Sequence, residues 1–273
     1  MPLHEWQSGH VGLLVDMDGV LFHGDRALPG AADFLPWLFE RPHRFVTNNP
    51  IRSPADVVAH FCALGLPAPS AETVMTTAQA TAAYLAGQQA HFRYFAIGAG
   101  DLHDALAAVG QEDGERADFV VVGEGPGLDY DSLTTAINLV LKRGARLVST
   151  NPDANVDATV GGEHRVLPGG GALAAAVAVA TGVQPEVVGK PHPLLFRMAL
   201  TSLGLSADQC IMVGDRPDTD IAGAQAIGMR TALVRSGRFS VADVLPDRLR
   251  PDWDVAGLPA LIDAWGIQPG NRS

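Results

Sequence analysis

The alternation of two kinds of segment constrains this chain more than any other feature. Short β-branched or aliphatic runs fall at residues 11–15, 44–46, 92–97, 119–122, 146–149, 210–213 and 231–234. Longer Ala- and Leu-rich stretches fall at 31–39, 55–64, 78–86, 102–109, 132–142, 172–181, 194–203 and 221–227. Strands that alternate with helices predict an α/β fold, with a parallel sheet covered on both faces. Ligands of such sheets bind at the carboxyl ends of the strands. The chemistry is therefore expected just after the apolar runs.

Polar clusters occupy those places. Asp16 and Asp18 follow the first run, and Thr47, Asn48 and Asn49 the second. Lys190 follows the short Val187-Val188 pair, and Asp215 follows the run at 210–213. Between Thr77 and Val187 lie more than a hundred residues with an alternation of their own. That length predicts a separate unit inserted into the first. The expected division is 1–77 and 188–273 for a core and 78–187 for the inserted unit.

Composition removes several classes of function. The chain has a formal net charge of −11 at pH 7 and repels phosphate backbones, so nucleic acid is not an expected partner. An anionic substrate would need a local device, such as a metal ion, to overcome that field. Cys62 and Cys210 have no paired spacing, which disfavours both a disulfide framework and a zinc–cysteine site. Residues 1–10 carry no basic cluster, and the most apolar stretch, 172–183, is shorter than the ~20 residues that span a bilayer. A soluble, cytoplasmic protein without a membrane partner is expected.

Four motifs can carry chemistry. Asp16-Met-Asp18-Gly19 sets two carboxylates close together, and like charges so placed invite a cation or a shared proton; a solvated strand end would use the same residues. Gly214-Asp215-Arg-Pro-Asp218-Thr-Asp220 adds three carboxylates. Asp215 with Asp16 suits a hard divalent cation such as Mg2+, while Asp218 or Asp220 could cap the next helix. Thr47-Asn48-Asn49 offers a hydroxyl and amides to phosphate oxygens, or forms an ordinary loop before Pro50. Lys190 is either a phosphate-binding point charge or a surface lysine.

Taken together and in order, these motifs resemble the haloacid dehalogenase (HAD) superfamily. The Thr-Asn-Asn form, the large insertion, and Asn151-Pro152-Asp153 followed by Pro168-Gly-Gly-Gly171 resemble its subclass IIA, the NagD or para-nitrophenylphosphatase-like phosphatases. The resemblance implies a Rossmann-like doubly wound core with an inserted α/β cap domain. It implies that Asp16 is the nucleophile and a Mg2+ ligand, and that Asp18 is the general acid and base with its carbonyl on Mg2+. Thr47, Asn48 and Lys190 would bind the phosphoryl group, Asp215 would complete the metal site, and Asp220 would stand beside it.

The implied substrate is a small phosphorylated metabolite of the sugar phosphate, nucleotide, phosphoglycolate or pyridoxal phosphate type. Asn151, Asp153 and Asn155 are candidates for selecting its leaving group. Relatives often dimerise through the cap, so a homodimer is a further expectation. A phospholigand-binding or regulatory protein that lost turnover, and a phosphotransferase, are the alternatives.

Overall fold

Runs that are apolar on both faces belong in the interior of a sheet, and the strands here are of that kind. The computed structural model describes residues 11–160 and 163–267. The reading of residues 1–10 lies outside them. By contacts the chain forms two units, the described parts of Met1–Thr47, Pro54–Met75 and Lys190–Ser273, and then Asn48–Ser53 with Thr76–Gly189.

In the first unit a six-stranded sheet runs in the order Trp253–Val255, Arg230–Val234, Cys210–Gly214, Gly12–Val15, His43–Thr47, Val74–Thr76. Gly12–Val15 is parallel to both of its neighbours, with Leu13 opposite Ile211 on one side and His43 on the other. From this central strand the chain builds outward in both directions. The topological switch point therefore lies at its carboxyl end, where Asp16 follows. The helix Ala31–Phe39 buries Ala31, Phe34, Leu35 and Leu38, the i, i+3, i+4, i+7 stripe of a helix facing a core. Phe34, Phe45 and Phe61 are fully buried with Leu13, Val15 and Val213.

The second unit has a five-stranded sheet in the order Glu186–Val187, Arg146–Ser149, Phe119–Val122, Arg93–Ile97, Gln111–Glu112, with every neighbouring pair parallel. Its core joins Ile97, Val120 and Val122 to Leu139 and Val177. An antiparallel hairpin, Asn155–Val160 with Glu163–Pro168, stands outside this sheet. No helix among the described residues is long and apolar enough to cross a membrane.

The parallel α/β architecture expected from the alternation is present, and three details differ. The 155–168 hairpin was not anticipated, because its sequence mixes charged and aliphatic residues, and Glu163–Pro168 is exposed throughout. The helix expected at 221–227 is a wider π-type turn at Pro217–Ile221 followed by a short helix at Ala222–Ala226. The wider turn accompanies an inward-facing Asp220, which has no exposed surface. Residues 48–53 associate with the second unit, although they directly follow a strand of the first.

Candidate active site

The first unit gathers four ionisable side chains at the carboxyl ends of neighbouring strands. Asp16 follows Gly12–Val15 and Asp215 follows Cys210–Gly214, strands in which Val15 and Val213 are paired. Lys190 reaches them from the start of the returning chain. Its ammonium is 2.9 Å from Asp16 Oδ2 and 2.7 Å from Asp220 Oδ1, and it donates to Val46 O at 3.3 Å. All four residues are buried, Lys190 to 2% exposure.

The local chain explains how carboxylates fit there. Gly19 is left-handed at φ 79, and a Cβ on Gly19 or on Gly237 would run into the Asp215 carboxylate. The glycine of the first motif therefore clears space for the aspartate of the fourth. Asp16 Oδ1 accepts the Met17 N–H at 2.8 Å, and Asp215 Oδ2 accepts the Arg238 N–H at 2.9 Å.

Three carboxylates against one ammonium leave a formal excess of two negative charges in a buried space. Burial, with Asp220 and Asp16 nearby, holds Asp215 well above the usual carboxylate range. Burial also pushes Asp220 up to about 6, against the pull of Lys190. For Lys190 burial acts downward, but Asp16 and Asp220 outweigh it and raise the ammonium above its ordinary value. The lysine is charged at neutral pH, and the acids are short of positive charge.

One oxygen from each of Asp16, Asp215 and Asp220 lies within 4.8 Å of the others. An all-carboxylate set suits a hard divalent cation, whose charge would cancel the excess. Both Asp220 oxygens accept bonds, from Lys190 and from the Arg216 N–H at 3.1 Å, and both Asp16 oxygens are likewise engaged, by the Met17 N–H and by Lys190. Asp16 and Asp220 together hold the lysine, and all three carboxylates stand close enough to share a cation.

The remaining sequence-predicted residues fall elsewhere. Asp18 is outside the buried cluster, with a 67% exposed side chain 3.6 Å from His23 Nδ1. Thr47 ends His43–Thr47 and is half-buried. Asn48 belongs to the second unit, where its Nδ2 donates to Asp153 Oδ2 at 2.9 Å. Asn151 is fully buried there and donates to Glu124 Oε1 and Asn48 O, so both its amide hydrogens face the unit's own framework. Asp153 is buried too, and Asn155 is exposed at the start of the hairpin. Asp218 is exposed and pairs with Arg216 at 2.8 Å.

Sequence reasoning passed over Ser236, Gly237 and Arg238. The Ser236 hydroxyl donates to Gly19 O at 2.8 Å, and the other two position Asp215. They follow the strand Arg230–Val234, so the rule that placed the other clusters points to them as well.

A family model described as haloacid dehalogenase-like hydrolase matches residues 13–112, and a second, HAD-hydrolase-like, matches 187–261. Dihydroxyacetone phosphatase of Corynebacterium glutamicum (strain R) is 36% identical over 259 residues, which cover 94% of this chain and 92% of that protein. The solved structure of NagD from E. coli K-12 aligns with a TM-score of 0.82 at 32% identity, covering 90% of this chain and 96% of that one. A glycerol phosphate phosphatase from Mycobacterium tuberculosis, solved in complex with magnesium, aligns with a TM-score of 0.80 at 34% identity, covering 93% and 76%. With the first match containing Asp16 and the second Lys190, Asp215 and Asp220, and with relatives alike over nearly the whole chain, the chain belongs to the haloacid dehalogenase-like hydrolases, in the NagD-like subclass IIA phosphatases.

Proposed function

We propose that this chain hydrolyses small-molecule phosphate monoesters with Mg2+, through an aspartyl-phosphate on Asp16. The observation that carries the reading is a buried carboxylate, Asp16, held 2.9 Å from a buried ammonium at the switch point of a parallel sheet. Two further buried carboxylates beside it supply an oxygen set for a cation.

The chain's own residues account for the steps. An Asp16 carboxylate oxygen attacks phosphorus, and the bond from phosphorus to the ester oxygen breaks. The electron pair leaves on that oxygen, which takes a proton from Asp18. Asp18, now ionised, removes a proton from water as the water attacks phosphorus, and the bond to Asp16 breaks. Lys190 and Thr47 hold the phosphoryl oxygens on which charge spreads in the transition state. Asp220 keeps the Lys190 ammonium aimed at Asp16. When bound, Mg2+ neutralises charge on the phosphoryl group and on Asp16, so that two anions can meet. The exposure of Asp18 suits a group that must reach a leaving group and then water.

Two of the relatives are named for three-carbon phosphates, so dihydroxyacetone phosphate and glycerol phosphate head the substrates to be tested. The inserted unit is assigned the choice among them.

Release of phosphate from para-nitrophenyl phosphate should require Mg2+. Rigorous chelation is expected to cut the rate by about a hundredfold or more, and full activity after chelation would remove the metal assignment. A thermal measurement checks the same site without turnover. Asp215 and Asp220 are raised in the folded state, so the metal-free protein holds protons that the unfolded chain has released. Its stability therefore falls as pH rises from the unfolded carboxylate range through about 6. Mg2+ competes with those protons. Its stabilisation is expected to be several degrees at about pH 7.5 and much smaller at about pH 5. Equal shifts at both would contradict the cluster as the binding site.

A further inference from the structure

Asn48 is gripped from several sides within the second unit. Its carbonyl accepts from Thr77 Oγ1 at 2.8 Å and from Asn151 Nδ2 at 2.8 Å, while its own Nδ2 donates to Asp153 Oδ2 at 2.9 Å. The grip has backing. Asn151 also donates to Glu124 Oε1 at 2.7 Å, and its Oδ1 accepts the Asp153 N–H at 3.1 Å. The Asp153 carbonyl accepts the Gly171 N–H at 2.9 Å. Glu124, Asn151 and Asp153 are exposed by only 3%, 0% and 5%.

Gly189 shares this place. Its N–H donates to Thr150 O at 2.8 Å, and a Cβ there would meet both Asn48 Oδ1 and Thr150 O at 2.7 Å. Two junctions of the chain are thus fixed side by side. Asn48 directly follows Thr47, and Gly189 directly precedes Lys190. Asp153 holds the residue peptide-bonded to Thr47 directly, and Glu124 holds the Asn151 amide that donates to the same residue's carbonyl.

We infer that Asp153, backed by Asn151 and Glu124, is a positioning residue for phosphate binding. It fixes Asn48 against Gly189 and so sets the spacing of Thr47 and Lys190 along the chain that joins them. The inference rests on the phosphatase reading, which makes Thr47 and Lys190 the phosphoryl-binding pair. It also changes the part expected of Asn48, whose amide is committed to Asp153.

The test exchanges donor and acceptor. Asn48→Asp sets a second carboxylate against Asp153, and adding Asp153→Asn restores a hydrogen bond of reversed polarity. Inhibition by inorganic phosphate, kcat and KM for para-nitrophenyl phosphate with Mg2+, and melting temperature are measured for each full-length protein. Asn48→Asp is expected to weaken phosphate inhibition and raise KM by about ten- to a hundredfold. The double variant is expected to return within about threefold of the parent. A double variant as impaired as the single one overturns the inference, because Asn48 would then act on phosphate directly.

If Asn48→Asp does not fold, Asp153→Asn alone carries the test. It is expected to raise KM and the phosphate inhibition constant together by about three- to tenfold, with kcat less affected; unchanged constants overturn the inference. Tyr84→Phe removes a hydrogen bond to Glu186 elsewhere in the unit and should leave phosphate inhibition within about twofold. An equal loss there would mean that stability alone sets the affinity. A parent protein without turnover defeats the phosphatase reading, whereas an active parent with an unrescued double variant defeats this one.

Discussion

Asp16→Asn is expected to lose at least about 10⁴-fold in turnover while remaining folded. The amide keeps nearly the same shape and still offers an oxygen to the Met17 N–H. It cannot attack phosphorus to leave an acyl phosphate. Folding should survive because the cluster holds more negative than positive charge, so removing one carboxylate relieves repulsion while Lys190 retains Asp220. Without metal at neutral pH, the variant's melting temperature should equal or exceed the parent's. Circular dichroism and thermal melting alongside phosphate release check both halves. Turnover near the parent's would remove Asp16 as nucleophile, and an unfolded variant would mean that the pair with Lys190 is chiefly structural.

Lys190→Met is expected to lower both activity and stability. Its loss leaves Asp16, Asp215 and Asp220 buried without their ammonium. Removing one partner from a buried pair costs about 3–5 kcal/mol, because the other charges stay behind. The pH dependence has a definite sign. Without the ammonium Asp215 and Asp220 are held still further above their unfolded values, so the folded variant keeps their protons to higher pH. The loss of stability should therefore be small near about pH 5 and grow toward about pH 8. Mg2+ should restore part of it, since a cation substitutes for the missing charge. Lys190→Arg should not rescue activity, because a planar fork does not replace a compact ammonium enclosed at 2% exposure. Denaturant melts across pH test the sign, and a loss that shrinks as pH rises would contradict it.

Much of the fold was legible because the strands are continuous apolar runs. Phe119–Val122 and Arg146–Ser149 have the bounds that their sequences indicate. Trp253–Val255 was passed over because it is three residues long and partly exposed, and the 155–168 hairpin because its second strand, Glu163–Pro168, is exposed throughout. Asp16, Lys190, Asp215 and Asp220 were singled out by position after strands, and they meet in the structure. Lys190 carried a stronger signal than its position. The chain has only two lysines, Lys142 and Lys190, among 19 lysines and arginines, so a lysine marks a place where arginine does not serve. The commitment of Asn48 and Asn151 to Asp153 and Glu124 was not legible. It depends on residues 105 and 27 positions apart being brought together, and no short pattern encodes that.

The covalent step is tested most directly with Asp18→Asn. Para-nitrophenolate departs without needing a proton, so this variant should still form the aspartyl-phosphate, while the attack of water loses its base. Acid quench of Asp18→Asn after mixing with a labelled aryl phosphate, followed by peptide mapping, should find stoichiometric label on the peptide containing Asp16. Reduction with borohydride should convert that residue to homoserine. Label on any other residue, or an unlabelled protein that still releases a burst of nitrophenolate, would contradict nucleophilic catalysis by Asp16.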